Sequence, residues 1–442
     1  MDAQLSKLLE FLRFPSVSTD SAYANDVKLC AEWLAWQLQE IGLEARLHDT
    51  PGHPVVVAKN AHMPGRRTVL IYGHYDVQPV DPPALWTHPP FEPHVADGKI
   101  FARGATDNKG QILAHILGVQ EALAHGELPV NLIFLIEGEE ECGSTHLDDF
   151  LAAHRNALRC DIVAVSDTGM IARGIPTLTY GLRGIAAMEI KVTGPGGDLH
   201  SGIYGGAVAN PLTALARLLA TLHDDAGHVA VEGFYDGVEP VQDWEKKAWA
   251  TLPQRDDDIL VLTGSPELFG EAGFTTHERL WARPTAEING IGGGYQGLGT
   301  KTVLPAEAFA KLTFRLVPNQ RPNAVLEKVK AHLQKNVSSA VRLEISTGHS
   351  GEPYVMNPHS ADGLAAQRAL QKTFGRDVAL IREGGSIPIV QTFKKILGAD
   401  TLLLGLALPD ARAHAPNENF PLENFYAGIR LNQALLDELS RV

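Results

Sequence analysis

Four short apolar runs, at residues 68–71, 131–136, 161–165 and 401–406, constrain this chain more than any other feature. Each is rich in Val, Ile and Leu and too short for a helix, which is the pattern of a strand buried on both faces. Apolar residues return at helical spacing over 27–41, 108–124, 211–222, 323–337 and 423–439. Strands that alternate with helices form a layered α/β fold with a mostly parallel sheet, and ligands then gather beyond the carboxyl ends of the strands. The strand exits are therefore the place to look for chemistry.

GHYD follows the first run, EGEEE the second, Ser166-Asp167 the third, and a polar tail reaching HAPNEN the fourth. His74 and Asp76 lie two apart at a strand end, so their side chains can share a face with Asp76 behind the imidazole. A surface histidine beside a solvated aspartate is the other reading of that pair. Asp107, in RGATDNKG, opens the helix at 108–124, where an aspartate serves equally well as an N-cap. EGEEECGS places four acids in five residues directly after an apolar strand. Like charges so packed call for cations, unless the loop is fully solvated. Asp167 and His414 are unremarkable alone. Together the five segments put imidazoles and carboxylates at successive exits of one sheet, which is the donor chemistry of a hydrolytic metal centre with a base beside it.

The middle of the chain has a different texture. Residues 184–194 (GIAAMEIKVTG) and 308–318 (AFAKLTFRLVP) alternate like half-exposed strands, with a helix and an acidic, irregular stretch through 224–258 between them. This predicts an inserted α+β domain at 181–351 that interrupts a first domain formed by 1–180 and 352–442. A chain of 442 residues is long enough for two cores. Its 44% hydrophobic and 20% charged residues leave no room for a long disordered tail.

The 38 Lys and Arg against 52 Asp and Glu give a formal charge of −14 without any basic run, so nucleic acid and anionic membranes are poor partners. The N-terminal stretch carries acids and a helical stripe of Leu5, Leu8, Leu9 and Leu12 rather than a signal peptide. No apolar run approaches the roughly 18 residues of a membrane span. Cys30, Cys142 and Cys160 form no CxxC pair, which suits a reducing compartment. A cytoplasmic location without disulfides is expected.

GHYDVQP, RGATDNKG, EGEEECGS, VSD, GPGGDLHSG, REGGSIP and HAPNEN occur in this order and cover nearly the whole chain. They resemble the motifs of the di-zinc peptidase family that contains carboxypeptidase G, the acetylornithine and succinyl-diaminopimelate deacylases and aminoacylase. DLHSGIYGG, LTFRLVPNQ and REGGSIP resemble its carnosinase and cytosolic nonspecific dipeptidase branch. The resemblance implies hydrolysis of dipeptides by a water bridged between two divalent metals, zinc before manganese or cobalt. An N-acyl amino acid deacylase or a carboxypeptidase is the alternative within the family, and a non-catalytic metal- or peptide-binding protein the alternative outside it.

By the same likeness Asp107 bridges the metals, His74 and Asp167 complete one, and Glu141 and His414 the other. Glu140 is then the general base and Asp76 the support of His74, with Glu137 and Glu139 as bystanders. Three carboxylate ligands against two divalent ions leave one net positive charge, which ionised Glu140 would cancel. The inserted domain becomes a lid and homodimer interface that sends His200 into the partner's active site to support the oxyanion. Arg315, Ser386 and Gly385 bind the substrate carboxylate, with Thr302 and His349 as further candidates for that pocket.

Overall fold

The apolar runs form the middle of a nine-stranded sheet in the computed structural model, which describes residues 2–442. Its strands in chain order are β1 (Glu44–His48), β2 (Val55–Lys59), β3 (Thr68–His74), β4 (Asn131–Glu137), β5 (Ile162–Val165), β6 (Thr177–Leu182), β7 (Tyr354–Val355), β8 (Ala379–Glu383) and β9 (Asp400–Leu403). The four runs named above are β3, β4, β5 and β9. They lie side by side in the order β4-β3-β5-β9, every neighbour parallel. Their carboxyl ends therefore share one edge. The flanks are mixed. β1 and β2 add antiparallel on one side, and on the other β6 runs antiparallel to β9 and β7 but parallel to β8.

Helices cover this sheet because their apolar faces have nowhere else to go. Helix Lys109–Ala124 is buried from Lys109 through Val119 and packs against Leu422–Leu439. The approach is close: a Cβ on Gly118 would stand 2.5 Å from that of Asn432. Helices Ala24–Glu40, Pro211–Ala220 and Pro322–Asn336 also match their predicted spacing. Ala361–Phe374 and Pro388–Ile396 were not among the predicted helices. The former buries Ala365, Ala366 and Ala369, small side chains that make no conspicuous apolar stripe.

A second, smaller sheet is antiparallel, with strands in the order Thr285–Gly293, Glu307–Leu316, Gly184–Thr193 and Arg342–Gly351. Helices Pro211–Ala220 and Pro322–Asn336 contact its strands, and Leu218, Leu312, Phe314 and Leu333 belong to a core separate from that of the large sheet. The stretch at 224–258, read above as irregular, contains helix Asp243–Ala250 and the start of Asp256–Thr263. Both helices have only 8 residues and acidic first turns, too little for a periodic signal.

Moreover, Val241, Trp249, Leu252, Trp281 and Ala282 pack into the core of the nine-stranded sheet, although they lie in sequence between strands of the small one. Fully buried Glu245 ties this segment down. It accepts a hydrogen bond from the Tyr180 hydroxyl on β6 at 2.7 Å and pairs with Arg382 on β8, whose guanidinium lies over the rings of Tyr180 and Trp249. Among the described residues no helix is long and apolar enough to cross a membrane. All three cysteines are free.

Candidate metal centre

Three strand exits and two loops bring the acids and histidines together. His74, fully buried at the end of β3, has its Nδ1 3.1 Å from the Asp76 carbonyl and 3.3 Å from Asp76 Oδ1. An Nδ1–H directed there leaves Nε2 free as a donor. That Nε2 lies 3.2 Å from Asp107 Oδ1 and 3.7 Å from Asp167 Oδ1. The other Asp107 oxygen is 2.8 Å from His414 Nε2, which is 3.2 Å from Glu141 Oε2. The donors thus form two groups, His74-Asp107-Asp167 and Asp107-Glu141-His414, each with its atoms within 4.8 Å of one another. Asp107 is the member they share.

The surroundings hold these side chains in place. Asp76 Oδ2 accepts the Glu141 N–H at 3.0 Å, so one carboxylate supports a member of each group. Gln78 Nε2 donates to Glu141 Oε2 at 2.8 Å, and Asn108 Nδ2 to Asp167 Oδ1 at 2.8 Å. Asp107 does not cap the following helix: Asn108 occupies the N-cap position without a side-chain capping bond, and the Asp107 carboxylate faces the histidines. His414 is presented by a loop in which Arg412, His414 and Asn417 all have positive φ, a conformation that costs a non-glycine residue about 1–3 kcal/mol and persists where the surroundings enforce it.

The run of glutamates divides by partner. Glu137 accepts from the Tyr72 hydroxyl at 2.6 Å and Ser144 Oγ at 2.9 Å, and burial pushes its carboxyl up to about 8. Glu139 pairs with His146 Nδ1 at 2.9 Å. Glu141 is the member that enters the donor cluster. Glu140 is pushed well above the carboxylate range by burial first, with the charges of Asp167, Glu141 and Asp107 adding to it.

The charges show what the cluster needs. Glu141 and Asp167 are also raised, by burial first and then, against the pull of the histidines, by Asp107. His414 is raised to about 10 by its contacts with Asp107 and Glu141. His74 is raised by Asp107, Asp167 and Asp76 even though burial opposes it. Asp107 alone is held well below the carboxylate range, by its contacts with His414 and His74 against the effect of burial. Three acids and two imidazoles that hold protons strongly around it describe a site short of positive charge. Atoms about 2.1 Å from one tetrahedral ion stand about 3.4 Å apart, and the separations here run from 2.8 to 3.7 Å. Oxygen and imidazole donors at that spacing fit divalent cations.

The other candidates fall into separate groups. Arg315 Nη1 donates to Ser386 Oγ at 3.0 Å, so the small sheet and the REGGSIP loop meet there beside Gly385. His200 stands with Thr302, Nε2 to Oγ1 3.4 Å, on a two-stranded ribbon, and His349 lies exposed on Arg342–Gly351. Two acids escaped the sequence reading although both sit inside quoted motifs. Glu383 precedes the Gly-Gly-Ser turn and lines a cavity of about 510 Å³ together with Asp107 and Asp167. Glu418, four residues after His414, is fully buried and hydrogen-bonds the backbone of Asp107. Glu383 ends strand β8 and Glu418 follows the His414 loop, and a single carboxylate among polar neighbours gives no local signal of either placement.

A parallel α/β sheet with two carboxylate–imidazole groups sharing one aspartate defines a metal-dependent hydrolase. The chain belongs to peptidase family M20/M25/M40, whose pattern matches residues 70–438. It is a metallopeptidase that uses divalent metal. It is 33% identical to the Cys-Gly metallodipeptidase dug1 of Schizosaccharomyces pombe, covering 100% of this chain and 96% of that protein. It is also 33% identical to the Beta-Ala-His dipeptidase of Homo sapiens, over 89% of this chain and 78% of the relative. The structure of the metallo-carboxypeptidase Sso-CP2 from Sulfolobus solfataricus superimposes with a TM-score of 0.90 at 34% identity, covering 100% of both chains.

The shared aspartate predicts an asymmetry between substitutions. Asp107→Ala should remove both ions together, whereas His414→Ala should spare the ion beside His74 and Asp167. Elemental analysis of the purified variants should therefore give near zero and near one metal per chain, and a fully retained ion in Asp107→Ala would rule out sharing.

Proposed function

We propose that the protein is a cytoplasmic, homodimeric dipeptidase with two divalent ions per chain, zinc before manganese or cobalt. The observation that carries this reading is the placement of Glu383. Its Oε2 is buried without a hydrogen-bond partner, in the cavity that also contains Asp107 and Asp167. Burial first, and the charge of Asp167 second, push its carboxyl up to about 7. An unpartnered carboxylate at that point suits the α-ammonium of a peptide, and an N-acyl group would leave it unpaired. Three residues on, Ser386 meets Arg315, whose guanidinium suits a terminal carboxylate. Recognition of both free ends selects dipeptides, in keeping with the names of the two dipeptidase relatives.

In this reading His74, Asp107 and Asp167 would hold one ion, and Asp107, Glu141 and His414 the other. When bound, the ions would lower the pKa of a water and polarise the scissile carbonyl. Asp76 keeps His74 in the tautomer that presents Nε2. With its acidic neighbours neutralised by bound ions, Glu140 would be ionised and could accept a proton from water and return it to the leaving amine. Retention of Glu140 beside all five donors argues against a non-catalytic binder.

The inserted unit serves as lid and dimer interface. His200 and Thr302 do not line the cavity that holds Asp107 and Asp167, which favours service in the partner's active site, where His200 would donate to the oxyanion. Gly385, next to Ser386, belongs to the same carboxylate pocket, and His349, exposed on Arg342–Gly351, is assigned to it by the family likeness alone. Free cysteines support a reducing, cytoplasmic setting. The likeness to Sso-CP2 favours one second reading, a carboxypeptidase acting on longer peptides.

A panel of unblocked dipeptides, tripeptides and N-acetyl amino acids separates these readings. Dipeptides should be cleaved best, and Glu383→Gln should lower their kcat/KM by at least about 30-fold, equivalent to about 2 kcal/mol from a buried charge pair. Equal or better turnover of N-acetyl amino acids or longer peptides would refute the dipeptide assignment. For the dimer, Glu140→Gln and His200→Ala should each be nearly inactive with metals intact. Subunit exchange between them should restore activity, since one site of each hybrid regains both residues. Exchange verified by mass spectrometry without recovered activity would show that His200 does not act across the interface.

A further inference from the structure

The turn that presents Asp107 is built around a single buried carboxylate from the far end of the chain. Ribbon strands Lys99–Phe101 and Asn419–Pro421 pair antiparallel and bring Glu418 beneath residues 103–107. Glu418 Oε1 accepts the backbone N–H groups of Thr106 at 2.9 Å and Asp107 at 3.0 Å. Its Oε2 accepts Arg103 Nη1 at 2.8 Å and the Gly104 N–H at 3.0 Å. Four donors thus converge on one side chain that has no access to solvent. An ionised carboxylate satisfies all four donors, whereas a protonated one would leave its own O–H without an acceptor and an amide would turn an NH₂ group toward one pair of donors.

The same group links the supports of both metal subsites. Arg103 also donates to the Pro79 carbonyl at 2.9 Å and lies over the Trp86 ring, which anchors it to the segment that follows His74 and Asp76. Gly104 has φ +83° and fits against Val77, where a Cβ would stand 2.8 Å from Val77 Cγ1. Glu418 ends the positive-φ loop that carries His414. Asp107, His414 and the segment after His74 therefore meet at one carboxylate that touches no reacting atom.

We propose that Glu418 is a positioning residue for the metal centre: by clamping the 103–107 turn it fixes the direction of Asp107 between His74 and His414, and thereby sets the affinity of both ions at once. The proposal rests on Asp107 as the shared ligand. Supporting partners of metal ligands typically contribute about 10–100-fold in metal affinity.

The test is a competitive titration of zinc alone against a chromophoric chelator, using metal-free wild type and Glu418→Gln, with thermal melts of the metal-free proteins alongside. Both zinc ions should bind Glu418→Gln about 10–100-fold more weakly, beyond any change in metal-free melting temperature. If Glu418→Gln does not fold, Glu418→Asp keeps the charge beside Arg103 but is one methylene too short to hold all four donors, and the same weakening is expected. Wild-type affinity for both ions in the folded variant, whatever its melting temperature, would reduce Glu418 to a purely structural role. Fewer than two ions bound to wild type in the same titration would instead overturn the binuclear reading itself.

Discussion

Carboxylate charge buried at one sheet edge is the constraint on which the rest of the molecule depends. Asp107, Glu140, Glu141 and Asp167 converge on two imidazoles, and burial raises the proton affinity of three of those acids. Such a cluster is stable only with compensating positive charge. The fold supplies directed support around it: Asp76, Asn108, Gln78 and Glu418 each hold a donor or its backbone by a short hydrogen bond. The parallel order β4-β3-β5-β9 makes this possible, since four strand exits open on the same edge.

Much of this was legible in the sequence because buried parallel strands announce themselves as unbroken apolar runs. Residues 68–71, 131–136, 161–165 and 401–406 became adjacent strands, and the polar residues after them became neighbours in space. The family motifs supplied what spacing alone left open, namely which of Glu137, Glu139, Glu140 and Glu141 faces the centre. Side-chain partners give an independent physical answer, for Tyr72 and Ser144 hold Glu137 and His146 holds Glu139.

What remained hidden depended on contacts between distant positions. Glu418 reaches the Asp107 amide across 311 residues, and no local pattern marks such a bond. The packing of Val241, Trp249 and Trp281 onto the large core was equally silent, because the helices between 243 and 281 are too short to show a period. That segment matters to the site. Leu280 and Trp281 line the same cavity as Glu383, Asp107 and Asp167, so residues that interrupt the small sheet in sequence wall the space beside the metal centre.

The central claim, two ions sharing Asp107, is tested most directly by anomalous diffraction from crystals of the metal-loaded protein. The account predicts two anomalous peaks per chain, one on each side of the Asp107 carboxylate and about 3.5–4 Å apart, as in other two-metal hydrolytic sites. A single peak, or two peaks with Asp107 bound to only one of them, would contradict it.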